Sequence, residues 1–152
     1  MKFDQLDFEI LKRLQTDGRA SYREIARELE VPHTTVFTRV QRMLNKGIIK
    51  RFSAEVHPHD VGFQIGLIVI DAPPSESKAL AQKISQLDEA RKVFRTFDGK
   101  IIVKAIVADH SNRNPLEQFL TKLNGYPMTV YPVHDVVKYH HHLHDDALRE
   151  LI

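Results

Sequence analysis

Hydrophobic residues recur along the first fifty positions at the spacing of three short amphipathic helices. The first helix can be capped by Asp4, and its apolar face consists of Leu6, Ile10, Leu11 and Leu14. The second helix should begin at about Tyr22, because Ser21 and Glu24 have the spacing of a capping box. It must end before Val31-Pro32, since proline disfavours a helical conformation in the residue before it.

The third helix is predicted from about His33 to Asn45, and it has two contrasting faces. One face is apolar at helical spacing, and the opposite face is polar and basic, with no acid to repel a phosphate backbone. Two helices separated by a tight break, of which the second has a basic outer face, are typical of a helix-turn-helix. In this motif the second helix is the recognition helix and lies in the major groove of DNA. The alternative is a three-helix protein-binding module with a solvated polar face.

Positive charge is concentrated in the same part of the chain, although the formal net charge is only +2. No acid lies between Val31 and Ala54, a stretch that contains five Lys and Arg residues. Such a stretch is expected where a chain meets phosphates. We therefore predict contacts to double-stranded DNA from Arg23, Thr34, Thr35, Thr38, Arg39, Gln41, Arg42, Lys50 and Arg51.

The remaining residues alternate between β-prone apolar runs and helical patterns. A strand over 48–56 should leave the first unit, and further strands are predicted at 63–72, 91–97, 101–107 and 129–139. Helices are predicted at 76–87, about 116–123 and 145–152, and Asp98-Gly99 signals a two-residue hairpin. This order predicts an α+β chain: a helix-turn-helix unit over 1–50, a linking strand or hinge over 51–62, and a ferredoxin-like βαββαβ domain over 63–152.

The first strand of that domain is apolar on both faces, with Ile65, Leu67 and Val69 alternating against Ile68 and Ile70. Helices cover only one face of such a sheet, and an uncovered apolar face is a partner surface. We therefore expect a homodimer.

Composition excludes several other classes. The chain has no cysteine, so disulfides and thiolate metal sites are excluded. Its longest apolar run, 65–70, is too short to span a bilayer. Residues 1–20 contain several acidic residues, so this segment does not resemble a secretory signal. A cytoplasmic protein without membrane contact or cofactor is expected.

Several segments together resemble the leucine-responsive regulatory protein family (Lrp/AsnC, the feast/famine transcription regulators). They are Phe3–Leu11, Leu14–Arg19, Glu24–Ala26, Thr35–Val40, Gly47–Ile49 and Pro58–Gly62. The resemblance implies a winged helix-turn-helix followed by a βαββαβ domain that dimerises, often forms octamers and in many members binds an amino acid. One departure is Pro32, where the family often has serine.

The resemblance also implies an effector loop in the central hairpin, where the family usually has Thr-Gly-Asp-Tyr-Asp. This chain has Thr96-Phe97-Asp98-Gly99-Lys100, which keeps the threonine and the first aspartate but lacks the first glycine, the tyrosine and the second aspartate. A small-molecule effector site at Thr96, Asp98, Gly99 and Lys100 and a simple tight turn both remain open.

Catalytic and metal-binding alternatives find less support in the sequence. A histidine tract at 140–142 and 144 could bind zinc or nickel, but a frayed, solvated strand end explains it better, and we expect no metal. No glycine-rich phosphate loop or Ser/His/Asp arrangement is visible, so we expect no enzyme. Two alternatives remain: a nonspecific chromatin-like DNA-binding protein, and a haem-pathway decarboxylase of the same fold that would use Arg91, Arg95, His110 and His134.

Overall fold

A computed structural model describes residues 3–108, 114–123 and 125–138 of the chain. Within these ranges the chain forms two compact units, the first ending at Glu55 and the second spanning Val56–Lys138. None of the described helices combines the length and the apolar composition that crossing a membrane needs. The histidine tract and the predicted helix at 145–152 lie outside the described residues.

The first unit consists of three helices: α1 (Gln5–Thr16), α2 (Tyr22–Glu28) and α3 (His33–Asn45). Both predicted N-caps are confirmed. Asp4 and Ser21 each accept a hydrogen bond from the backbone three residues later, and each forms a full capping box. The apolar faces meet in one core, whose most deeply buried side chains include Ile10, Ile25, Val36, Val40 and Met43. Burial of these side chains fixes α3 with its other side outward.

The end of α3 is set by Gly47, as the sequence predicted. Gly47 has a left-handed backbone with φ 67°. Its N–H donates to the carbonyl of Leu44 at 2.9 Å, and the N–H of Ile48 donates to that of Met43 at 2.9 Å. This pair of bonds is a Schellman motif, which satisfies carbonyls that a helix end leaves open.

The strand predicted over residues 48–56 is wrong. The chain turns after α3, and the residues from Lys50 to His57 have no regular secondary structure. The side chains of residues 51–56 are exposed. A strand must share its backbone hydrogen bonds with a neighbouring strand, and no described strand pairs with this segment.

The second unit begins with a 3-10 turn, Pro58–Val61, and then has the predicted βαββαβ order. Its elements are β1 (Phe63–Ile70), α4 (Pro74–Ile84), β2 (Ala90–Arg95), β3 (Ile101–Ala108), α5 (Pro115–Thr121) and β4 (Met128–Val133). The four strands form one antiparallel sheet in the order β2-β3-β1-β4. The ferredoxin-like fold class is therefore confirmed.

β4 is shorter than the predicted strand over 129–139. It pairs with β1 in a register that sets Val133 opposite Ile65. Only Phe63 and Gln64 of β1 lie beyond that pair, so most of a longer β4 would have no ladder partner.

The hairpin between β2 and β3 also differs from the prediction, because its loop has three residues rather than two. The N–H of Thr96 donates to the carbonyl of Lys100 at 2.9 Å, which encloses residues 97–99. The N–H of Gly99 donates to the carbonyl of Thr96 at 3.1 Å, and Gly99 has φ 90°. A turn followed by a left-handed glycine is the usual three-residue hairpin loop, so Asp98-Gly99 marked the turn but not its length.

The two faces of the sheet have different environments. On one face, α4 and α5 cover a core that includes Ile68, Ile70, Ile101, Val103 and Phe119. The opposite face, called here the open sheet face, carries Leu67, Val69, Phe94, Ile102 and Tyr131, as strand alternation requires. Leu67, Phe94 and Tyr131 are 39%, 53% and 54% exposed. The first strand is thus apolar on both sides, as predicted: helices cover one side, and the other side lies on the open sheet face.

Candidate nucleic-acid interface

The outward side of α3 is a narrow polar strip with one aromatic residue. Thr34, Phe37, Thr38 and Gln41 follow the spacing that places helical residues on one side, and we call them the recognition strip. Thr34, Phe37 and Thr38 are exposed, and Gln41 is half-buried. Thr35 is half-buried at the edge of the strip. Because α3 contains no acid, this surface can approach a phosphate backbone without like-charge repulsion.

The hydroxyl of Thr38 donates to the carbonyl of Thr34 at 2.8 Å. This bond uses the hydroxyl proton inside the helix and leaves the oxygen free to accept. A major-groove donor such as the amino group of adenine or cytosine could provide that second bond.

Two of the predicted DNA contacts, Arg39 and Arg42, direct their guanidinium groups toward α1. Nη2 of Arg42 lies 2.8 Å from both carboxylate oxygens of Asp7. Nη1 of Arg39 donates to Asp4 and lies 3.2 Å from Oδ1 of Asp7. We call these four residues the α1–α3 ion cluster.

Asp7 is the centre of the ion cluster, because its side chain is fully buried. A buried carboxylate is tolerated only when cations and hydrogen bonds replace its water. At the edge of the cluster, the hydrogen bond from Arg39 lowers the pKa of Asp4 and raises that of Arg39 itself. The cluster therefore ties the position of α3 to α1, a role that the basic pattern alone did not predict. The spacing of Arg39 and Arg42 next to Val36, Val40 and Met43 was the available signal, since it places both arginines beside the core.

The other basic residues that were predicted to contact DNA are exposed to solvent. Arg23, Lys50 and Arg51 are exposed and form no ion pair with another described residue. Arg23 follows Tyr22, whose ring centroid is 6.2 Å from that of Phe37. The start of α2 thus lies beside the recognition strip, while Lys50 and Arg51 follow the end of α3.

The structure gathers the four predicted effector residues into one turn, where their charges already have partners. The hydroxyl of Thr96 donates to Asp98, and this bond lowers the pKa of the Asp98 carboxyl. Nζ of Lys100 lies 3.3 Å from Asp71. Phe97, at the tip of the turn, is fully exposed.

The residues considered for metal binding and catalysis remain dispersed as far as the structure shows them. Among the described residues no group of three or more His, Cys, Asp or Glu side chains could hold a metal ion. Arg95 is hydrogen-bonded through Nε to Oγ of Ser77 at 3.3 Å. His134 is an exposed residue after β4, and His110 lies outside the described residues.

Comparison with known proteins agrees with this geometry. Residues 3–50 match the family described as winged helix-turn-helix DNA-binding. An uncharacterized HTH-type transcriptional regulator of Pyrococcus furiosus is 46% identical over 87 residues, which are 57% of this chain and 59% of the relative. The chain thus spans less than two thirds of the length of this relative.

Solved structures extend the likeness to nearly the whole chain. The structure of AsnC from E. coli superimposes with a TM-score of 0.74 at 23% identity, over 91% of this chain and 96% of AsnC. A transcriptional regulator of Neisseria meningitidis, solved as a complex with L-methionine, gives a TM-score of 0.74 at 21% identity, over 95% and 98% of the two chains.

The family match and the sheet order together define the class of this protein. It has an N-terminal winged helix-turn-helix DNA-binding domain and a C-terminal ferredoxin-like domain. The chain has the fold of AsnC, which the resemblance seen in the sequence implies.

Proposed function

We propose that the protein is a cytoplasmic transcription regulator that recognises specific sequences of double-stranded DNA. The main support for this proposal is the acid-free recognition strip, which the buried core and the α1–α3 ion cluster hold facing outward. Direct contacts come from Thr34, Thr35, Thr38 and Gln41, while Arg23, Lys50 and Arg51 contact the flanking phosphates. Arg39 and Arg42 contribute mainly by positioning α3.

Substitutions on the two kinds of contact should have different effects on DNA binding. Gln41→Ala should weaken binding by about 1–3 kcal/mol and relax specificity at one base pair. Arg23→Ala should weaken binding to all sequences and reduce the salt slope by about 1. Both effects are measured by titrating two duplexes at several salt concentrations: a site selected from a random duplex library, called here the selected site, and a scrambled version of it.

Arg91→Ala is the matched control, because Arg91 is an exposed arginine on β2 in the other unit. It should change neither the affinity nor the salt slope. Equal affinity of the unsubstituted protein for selected and scrambled sites at every salt concentration would instead favour nonspecific, chromatin-like binding.

Self-association through the open sheet face is the second part of the proposal. Two sheets stacked on this face would remove Leu67, Phe94 and Tyr131 from water, and burial of apolar area stabilises such a contact. A two-fold dimer presents two recognition strips, so its DNA site should be a rough palindrome. Pairing of such dimers would give a tetramer or an octamer.

Binding of ordinary amino acids should be weak or absent in this protein, although a regulator of the same fold was solved with L-methionine. Asp98 already accepts a hydrogen bond from Thr96, and Lys100 would repel a ligand ammonium group. Calorimetry against the twenty amino acids should therefore show no dissociation constant below about 100 μM.

Asp98→Ala is the control for that titration. A clear heat signal for leucine, lysine or another neutral or basic amino acid that disappears in Asp98→Ala would contradict the prediction. A signal for an anionic ligand that disappears in Lys100→Ala would show an effector of the opposite charge, as the lysine at this position permits.

A further inference from the structure

Phe37 is an apolar residue in the middle of the otherwise polar recognition strip. Its side chain is 51% exposed, whereas Val36, Val40 and Met43 of the same helix are fully buried. Thr34 and Gln41, three positions before it and four positions after it, lie on the same side of the helix. Half of a large apolar side chain is thus left in water on the surface that the proposed function places against DNA.

The ring of Phe37 has a defined support. Its centroid lies 6.2 Å from that of Tyr22 on α2, and the two ring planes are inclined by 59°. This tilted arrangement is favourable for two aromatic rings. The core positions next to Phe37 on α3 are occupied by Val36 and Val40, so the ring remains outward with one side against Tyr22.

The chemistry of the major groove offers one partner that such a ring can recognise. Base edges in this groove present hydrogen-bond donors and acceptors, together with the apolar C5-methyl group of thymine. A phenyl ring cannot form the hydrogen bonds, but it can shield the methyl group from water. We infer that Phe37 is a specificity-determining residue that contacts a thymine methyl group in each half-site. The inference rests on the proposed DNA-binding function and deepens it.

Removal of individual methyl groups from the DNA tests the contact directly. Each thymine of the selected site is replaced in turn by deoxyuridine, which lacks only the C5-methyl group. For the unsubstituted protein, one or two positions in each half-site should lose about 4-fold in affinity, the value of one buried methyl-sized group. In Phe37→Ala, overall affinity should be lower, and uracil at those same positions should have no further effect.

Two further variants separate a base contact from a structural role. Phe37→Leu keeps an apolar side chain and should retain part of the sensitivity to uracil. Val61→Ala changes another exposed apolar side chain, 54% exposed in the second unit, and should reproduce the unsubstituted pattern. Thermal melts of all three variants verify that each is folded.

The inference is overturned if no uracil position matters to the unsubstituted protein, or if Phe37→Ala keeps the same pattern of losses. Specific binding with either result would refute the role of Phe37 and leave the proposed function intact. Selection that enriches no sequence would overturn both. A change of oligomeric state in Phe37→Ala, with the uracil pattern retained, would assign the ring to a protein contact.

Discussion

Arg42→Ala should lower the free energy of unfolding of the helix-turn-helix unit by about 3 kcal/mol. Arg42 holds both oxygens of Asp7 at 2.8 Å, and the Asp7 side chain is fully buried. Without Arg42, that carboxylate would keep only the 3.2 Å contact to Arg39 and a 3.2 Å hydrogen bond from the backbone N–H of Asp4. We expect the lower part of the range known for broken buried pairs, because the Arg42 side chain is 36% exposed and water can enter. Urea denaturation followed by circular dichroism measures the loss.

Two variants make this result specific. Arg23→Ala removes an exposed arginine of the same unit and should change stability by less than about 0.5 kcal/mol. The double variant Asp7→Leu/Arg42→Met removes both charges from the buried site and should recover part of the lost stability. The recovery is incomplete because Asp7→Leu also removes the capping-box bond to the backbone N–H of Asp4. If Arg42→Ala were as stable as the unsubstituted protein and lost only affinity for DNA and salt dependence, Arg42 would instead be a phosphate contact.

Leu67→Asp should convert the assembled protein to monomers at micromolar concentration. Leu67 lies at the centre of the open sheet face, opposite Tyr131 on β4 and Lys104 on β3. Stacking a second sheet there would bury an aspartate in each subunit, and two like charges would meet across the interface. The dissociation constant of the dimer should rise at least about 100-fold. Light scattering over a concentration series measures it.

Phe97→Asp is the matched control for self-association, since it places the same charge at a fully exposed apolar site on the hairpin tip. The dimer should survive this change. Dimers that persist in Leu67→Asp, or an unsubstituted protein that is monomeric at micromolar concentration, would assign the apolar face another role.

Local signals in the sequence predicted most of the first unit because its boundaries depend on few residues. The N-cap Asp4 and the capping box at Ser21 predicted two helix starts, and Gly47 predicted the end of α3. Apolar spacing then oriented each helix, since a side chain of the core must face its neighbours. The orientation of α3 predicted the polar residues of the recognition strip. Phe37 was not predicted as part of it, because the outer face was identified by its polar and basic residues.

Features that depend on distant partners were predicted less well. Residues 48–56 have β propensity but no neighbouring strand in the described chain, so local preference did not decide their structure. The ion cluster joins residues more than thirty positions apart, and charge counts alone assigned Arg39 and Arg42 to DNA. Asp98-Gly99 marked a turn whose length depended on the pairing of Thr96 with Lys100.

Selection of bound sequences from a random duplex library, with the 152-residue chain at physiological salt, tests the central claim most directly. We expect one enriched motif, a rough palindrome whose half-sites are about one helical turn or a multiple of it apart. That motif should bind in gel shifts at least about 1,000-fold more tightly than a scrambled duplex. No enrichment, with equal binding to both duplexes at every salt concentration, would contradict it.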